Sequence, residues 1–330
     1  MGAIAPKWRF IMGNAVYHTN QDIPQEMILG NLLFMNLTDM KISDTELKRI
    51  FGKNNIPGTY IRDISPADAF RRASSSLKKS TTYLQLKGAS VKCKIEVDEV
   101  RNDPDSIKRI IGIKSLDDIN EEVKYDSVAE LIFNRDTEIV TYCIVKPSND
   151  PNYGVYQAAC NDVVAKYTDW VAFHNKDTIR NIINRIVTDT HPVQLMPTGL
   201  CKFISSTYSH LLYDLKEALN EMSAYAINSG TANIVELIPV IDTEEQRDLI
   251  EKNFKSEITN ELFEFTQELK DVLTKRQTLS VRSATAYIDK FNTLKDKALE
   301  YESLLGIYVN AIHDQIRESL ELVNDNVDDE

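Results

Sequence analysis

The chain has 330 residues, 42% hydrophobic and 27% charged, so it can bury a large core, and wholesale disorder is excluded. The formal net charge of −12 argues against nonspecific adhesion of the whole protein to nucleic acid or to an anionic membrane. Every apolar run is too short to span a membrane, so no membrane association is expected. Four widely separated cysteines without a secretory signal predict a cytoplasmic protein.

The first half of the chain is predicted to consist mainly of strands. Segments 8–18 and 27–37 are apolar runs rich in β-branched and aromatic residues. Segment 90–100 is a predicted strand in which residues 91–98 alternate strictly between apolar and charged, which indicates one buried and one wet face. Because the strands are joined by short links, we expect an antiparallel meander. The remaining strands of this series are predicted at 81–88, 108–113, 126–134 and 137–145.

Two helix starts within this region are marked by capping residues. Ser43 followed by Glu46 has the spacing of a capping box, so a short helix is expected from there to about Gly52. Ser65 precedes Pro66, whose missing N–H costs nothing at the first helical position. A second helix is therefore expected to run to about residue 77.

The second half of the chain changes to helical periodicity. Segments 155–173, 177–187 and 208–227 are predicted helices, with short strands between them. The last ninety residues carry two heptad-like apolar stripes joined near residues 277–280, which favours an antiparallel pair of long helices. The predicted fold class is therefore α+β: an antiparallel sheet with packed helices and a C-terminal antiparallel helical hairpin.

The chain is predicted to divide into four parts. The hairpin differs in kind from what precedes it, and the extreme C-terminus is too acidic and polar to fold. The parts are a mainly antiparallel β region with two short helices at 1–150, an α+β region that completes the core at 151–242, the long helical hairpin at 243–322, and a disordered acidic tail at 323–330.

Motifs for catalysis or cofactor binding are missing from the sequence. The histidines and cysteines lack metal-ligand spacing, and there is no phosphate-binding glycine loop or nucleophile elbow. No catalytic residues, metal or cofactor are therefore predicted, and an enzyme is not the favoured interpretation. One alternative is a metal-dependent nuclease, in which Asp105 and Glu122 would bind Mg²⁺ and Lys124 would polarise the phosphate. A solvated charge cluster is the preferred interpretation of these three residues.

Charge is distributed unevenly along the chain. Segment 60–95 contains eight basic and two acidic residues, whereas 11 basic and 21 acidic residues follow from Ile241 to the end. Arg62, Arg71 and Arg72 lie near a predicted helix start, where they could bind an anion. Lys78 and Lys79 extend the basic run, and nearby aromatic residues keep nucleic-acid binding open as an alternative function.

The favoured interpretation of this basic segment is structural. Arg62 would pair with Asp68 across the helix cap, and Asp63 would pair with Arg71 or Arg72. The acidic C-terminal helices would neutralise the remaining charge. The segment is then a lock around a capped helix.

Four aromatic residues lie on the predicted last helix at heptad-like positions. Tyrosines at three of them suggest an interface with a wet margin, because the ring can be buried while the hydroxyl reaches water. Packing within the chain is the favoured interpretation of these residues, and self-association through the hairpin is a further hypothesis. The four are Tyr287, Phe291, Tyr301 and Tyr308.

Two segments resemble an uncharacterised family of proteins from phages and mobile elements of bacteria and archaea. They are residues 62–73 (RDISPADAFRRA) and the later turn at 197–203 (PTGLCKF), where this chain departs from the family pattern at Leu200 and Cys201. The resemblance implies a virus-like or mobile-element origin and carries no known activity and no assigned catalytic residues. The leading hypothesis is thus a noncatalytic interaction protein that contacts itself, a host protein, or both.

Overall fold

The computed structural model describes residues 9–12, 15–18, 24, 27–79, 81–86, 88–115, 126–196, 201–228, 230–276 and 278–327. Within these ranges the strands are β1 (Arg9–Met12), β2 (Ala15–His18), β3 (Ile28–Asn36), β4 (Lys41–Ser43), β5 (Thr81–Leu86), β6 (Ala89–Asn102), β7 (Ser106–Ser115), β8 (Asp126–Asn134), β9 (Val140–Ile144), β10 (Phe173–Asn175), β11 (Val193–Gln194), β12 (Lys202–Ser205) and β13 (Ile234–Ile241). The helices are α1 (Asp44–Lys53), α2 (Pro66–Ser75), α3 (Tyr153–Ala172), α4 (Lys176–Thr188), α5 (Ser209–Met222), α6 (Glu244–Arg276), α7 (Val281–Leu305) and α8 (Asn310–Asn324).

Strands β5 to β9 form an antiparallel meander in chain order. The alternating pattern of β6 is confirmed, because Cys93, Ile95 and Val97 are buried while their neighbours are wetter. Helices α2 and α3 cover this buried face, with Phe70 of α2 stacked on Phe133 of β8 at a centroid distance of 5.6 Å. The meander and its two helices therefore enclose one hydrophobic core.

A second antiparallel sheet has the strand order β11-β12-β3-β13 and is covered on both faces. Helices α1, α4 and α5 pack on one face, where Leu33 lies, and α6 to α8 pack on the other, where Leu32 and Phe203 lie. A bulge opposite Val240 and Ile241 turns Leu29 to the same face as Leu32. Each face of this sheet thus contributes to a separate core.

Gly30 allows β12 to approach β3 closely. A Cβ atom at this position would overlap the carbonyl oxygen of Ile204 and would lie 2.6 Å from ring atoms of Phe203. Because a backbone oxygen cannot swing aside as a flexible side chain can, only glycine fits here without moving β12. The sheet depends on this residue for its close pairing.

The expected meander contains strands β5 to β9 but not the earlier strand β3. Strand β3 was predicted to join the early meander, but its partners β12 and β13 both come from after residue 200. Apolar content alone predicts a strand but not its partner, since pairing depends on contacts between segments far apart in sequence. The five-stranded meander itself is present.

The C-terminal region contains three helices in place of the two expected for a hairpin. Helix α7 ends at Gly306, which has a left-handed φ of 68° that few other residues adopt, and α8 then begins at Asn310. The N-terminal half of α6 packs on the second sheet through Phe254 and Ile258, and the C-terminal helices pack against one another.

Residues 323–327 of the expected tail make contacts with the rest of the chain. The Leu279 N–H donates to the carbonyl of Asn326 at 2.8 Å, and Val327 forms a parallel bridge with Leu279. Residues 328–330 lie outside the described residues.

The fold class is confirmed as α+β with antiparallel sheets and mutually packed C-terminal helices, whereas the four-part division stays a prediction. No helix in the described ranges has the length and apolar character needed to cross a bilayer.

Candidate functional site

Three residues of the predicted basic segment, Arg71, Arg72 and Lys78, contact different side chains. The Arg71 guanidinium binds the carboxylates of Glu99 at 3.1 Å and Asp68 at 3.3 Å. Arg72 instead lies over the ring of Trp170 at 5.1 Å from the centroid, a cation–π contact between α2 and α3. These two arginines are therefore occupied by contacts within the chain.

Lys78 and Lys79 lie in the short segment that follows α2. The Lys78 ammonium is 3.9 Å from an Asp98 carboxylate oxygen. Lys79 belongs to a short 3₁₀ turn after α2, and its side chain lies outside the described atoms. Buried Arg109 of β7 connects the meander to α2: its Nη1 donates to the Arg71 carbonyl at 2.8 Å and to Ser74 Oγ at 2.6 Å. Burial lowers the pKa of Arg109.

The expected partners within the structural lock are wrong, although ion pairs do surround α2. Asp68 pairs with Arg71, and Asp63 pairs with Lys48 at 3.2 Å. Arg62 points to a different place, a cleft against α4 that also contains Arg185. The reason is local: Arg62 precedes the N-cap Ser65 on an extended segment, whereas Asp68 and Arg71 are one turn apart on the helix.

The four predicted interface aromatics have different environments. Phe291 and Tyr301 are fully buried in the core shared by α6, α7 and the second sheet, and Tyr301 stacks on Phe254 at 4.8 Å. They do not present a surface to a partner in this structure. Tyr287 is partly buried, and Tyr308, between α7 and α8, is 85% exposed. A role for these last two in an interface stays a prediction.

A buried polar network joins the turn after α4 to α7. His191 Nδ1 lies 2.8 Å from Glu300 Oε2, and Tyr208 donates to the same oxygen at 3.4 Å. Tyr301 donates to the His191 carbonyl at 3.0 Å. Burial, with the Glu300 carboxylate, raises the pKa of Tyr208 to about 12, so the phenol keeps its proton. We interpret the network as a joint between helices and sheet, in which the buried Oε1 of Glu300 has no hydrogen-bond partner among the described residues.

A second buried polar cluster lies between α6 and α7. The Lys297 ammonium is 2.6 Å from Glu257 Oε1 and 3.9 Å from Glu261 Oε2. The other Glu257 oxygen accepts the N–H of Gln194, the outer edge of the second sheet, at 2.7 Å. The carboxylates border a groove of about 430 Å³ between β11 and α6 that also contains Met196. This groove is acidic, and Lys297, which pairs with Glu257, does not line it.

A further groove of about 370 Å³ runs between α6 and α8. Leu262 is buried at its base, whereas the adjacent Phe263 is 63% exposed. Thr266 and Ser319 lie 3.1 Å apart between their hydroxyls, so small side chains bring the two helices together. The lining residues are Thr259, Leu262, Phe263, Thr266, Gln267, Lys270, Gln315, Glu318 and Ser319.

Of the three residues of the nuclease alternative, Asp105 lies within the described ranges. Asp105 follows β6, and its carbonyl accepts the Arg135 N–H at 2.9 Å. Glu122 and Lys124 lie outside the described residues, as do residues 197–200 of the second resemblance motif. Among the residues with assigned positions, no group of three or more histidine, cysteine, aspartate or glutamate side chains could hold a metal ion.

Except for Arg62, sequence reasoning missed the residues that line the groove between α6 and α8 and the cleft against α4. Phe263 had a signal, since it is an aromatic residue outside the apolar stripe of α6 that contains Leu262 and Phe265. Lys270 and Glu318 look like ordinary surface charges on separate helices. Arg185 had no signal, because its groove is formed with a loop more than 120 residues earlier in the chain.

A protein family of unknown function matches most of the chain. The sequence model described as a family of unknown function, DUF6744, matches residues 28–328, which include all the grooves and networks above. No curated protein and no solved structure matches the chain.

Proposed function

The chain belongs to DUF6744, a family of unknown function, and we propose from its geometry that it is a noncatalytic interaction protein that binds a second copy of itself. The proposed contact surface is the groove between α6 and α8. A phage or mobile-element origin and a cytoplasmic location are part of the proposal, supported by the motif resemblance and by the spacing of the cysteines.

The exposed ring of Phe263 carries the proposal. Phe263 lies beside the groove with 63% of its surface exposed, so much of its apolar surface is in water. Phe254 on the same helix is, by contrast, fully buried. Burial of apolar surface contributes about 25 cal/mol per Å², so covering two such rings in a symmetric dimer stabilises association. Aromatic residues of this kind are frequent anchors of interfaces.

The charges around the groove favour a second copy as the occupant. Lys270 stands on the α6 wall and Glu318 on the α8 wall, both are exposed, and neither forms an ion pair with any residue whose position the structure describes. In a twofold dimer the same surface serves both subunits, so the lysine of each copy can meet the glutamate of the other. A groove with one cation and one anion on opposite walls is complementary to itself.

The proposal is tested by the concentration dependence of mass. Sedimentation equilibrium over about two decades of protein concentration should show an equilibrium between a 37.6 kDa monomer and a dimer. Phe263→Ser should weaken dimerisation at least about tenfold, because truncation of a central aromatic typically costs more than 1 kcal/mol. Leu249→Ser is the matched control, since Leu249 is also an exposed apolar residue of α6 but does not line the groove.

Charge reversal distinguishes self-association from binding of another protein. Lys270→Glu should weaken the dimer by placing like charges across the interface, and adding Glu318→Lys should restore it. Each exposed pair contributes about 0.2–1 kcal/mol, so the restoration is measured at low salt. Wild-type protein that stays monomeric throughout would refute self-association. A monomer that instead retains a host protein or an oligonucleotide would favour the corresponding alternative.

A further inference from the structure

A cleft of about 390 Å³ lies between α4 and the extended segment after the 3₁₀ turn Gly58–Tyr60. Its volume is within the range of small-molecule sites. Five of its six lining side chains carry N–H or O–H donors, and none is acidic. The lining residues are Arg62, Thr178, Asn181, Ile182, Asn184 and Arg185.

The two arginines are brought together by a contact between α4 and the turn. Arg185 Nη2 donates to the Tyr60 carbonyl, and the Tyr60 hydroxyl donates to Asp189 at 2.8 Å. Ile61, the next residue, is buried in the core under α4. The backbone that carries Arg62 is thus fixed two residues away, and the guanidinium of Arg185 is held by its own hydrogen bond. Less freedom is then lost when a ligand binds.

The acidic side chains near this cleft are already engaged. Asp63 accepts from Lys48 at 3.2 Å, Asp177 lies 3.6 Å from Arg180, and Asp189 accepts from a tyrosine. Across the part of the chain with assigned side chains, no carboxylate forms a salt bridge with either arginine of the cleft. The cleft therefore concentrates positive charge in a protein whose net charge is −12.

We propose that this cleft binds a small oxyanion, a phosphate or carboxylate group, between Arg62 and Arg185. Guanidinium groups match both kinds of oxyanion with paired N–H donors, and the two asparagines add donors and acceptors for the rest of the ligand. Buried Ile182 supplies an apolar floor. This site is separate from the groove between α6 and α8, so either proposal can fail alone.

Isothermal titration calorimetry of the full chain with inorganic phosphate and, separately, with citrate tests the site and identifies the preferred oxyanion. We expect saturable binding of at least one, weakened at least about tenfold by Arg62→Gln, because each charged hydrogen bond lost is equivalent to roughly that factor. Arg62 has no bonding partner among the described residues, so this variant should keep the wild-type melting temperature.

Arg180→Gln is the matched control. Arg180 lies on the same helix, but it faces Asp177 and does not line the cleft, so its variant should bind as the wild type does. Arg185→Gln should weaken binding as Arg62→Gln does. Absence of binding by both probes, or equal loss in the Arg180 variant, would overturn the proposal and show that the positive charge acts only through the general field of the protein.

Discussion

Replacing Lys297 by methionine tests the buried ion pair that ties α7 to α6 and to the edge of the second sheet. Lys297 is only 5% exposed, and its ammonium lies 2.6 Å from one Glu257 oxygen and 3.9 Å from one Glu261 oxygen. With an effective dielectric constant near 20, these distances correspond to about 6 and 4 kcal/mol of gross attraction. Desolvation of the charges offsets much of this, but removal of one partner leaves the carboxylates uncompensated. We expect Lys297→Met to lower the free energy of unfolding by about 3 kcal/mol.

The pH dependence of this loss follows from Glu261. Burial raises the pKa of Glu261, and the nearby Lys297 opposes that rise. A carboxyl whose folded pKa is above its unfolded value holds its proton more tightly in the folded state, so it favours folding when protonated and loses this contribution as pH rises through the folded pKa. Without the lysine the pKa rises further, and the difference in stability between variant and wild type should therefore shrink between neutral pH and about pH 5.

Urea denaturation followed by circular dichroism measures both effects. Lys290→Met is the control, because Lys290 also links α7 to α6, lying 2.7 Å from Glu268, but both side chains are exposed. It should cost no more than about 1 kcal/mol. Equal losses in the two variants, or a Lys297→Met deficit that does not change with pH, would refute the reasoning about burial.

Two further changes test other parts of the fold. Gly30→Ala should destabilise the second sheet by about 1–3 kcal/mol, because the added methyl group overlaps a backbone oxygen of β12; unchanged urea midpoints would show that β12 can move freely. Arg71→Ala combined with Arg72→Ala should cost about 1–3 kcal/mol through the lost ion pairs and cation–π contact; an unchanged melting temperature with loss of nucleic-acid binding in a filter assay would support the anion-binding alternative instead.

Helix starts were predictable from sequence because their determinants are local. Ser43 accepts the Glu46 N–H and Ser65 accepts the Asp68 N–H, both at 3.3 Å, as the capping patterns predicted. The apolar stripe of α4 is likewise buried throughout. Gly306 is a local signal for the end of α7, because its left-handed backbone ends the helix. The prediction of one continuous helix followed the apolar stripe, which continues across this glycine.

The candidate sites were less predictable because each depends on contacts between distant segments. The sequence offered Arg62 as an anion-binding candidate only as the alternative to a pair with Asp68, and Arg185, which lines the same cleft, comes from another helix. Asp68 pairs with Arg71 and not with Arg62 because of the directions of their side chains. Sequence spacing does not specify the direction of a side chain such as Arg62, which precedes the helix.

By itself, the sequence determined the α+β class, the main helices with their caps, and the strands of the early meander, since composition, periodicity and capping act over a few residues. Only the tertiary structure decided that β3 leaves this meander to pair with β12 and β13, that Phe291 and Tyr301 are core residues, and that Phe263 and Arg62 border accessible grooves. These outcomes depend on which faces are covered by segments far away in the chain, and that competition for burial is settled only when the whole chain has folded.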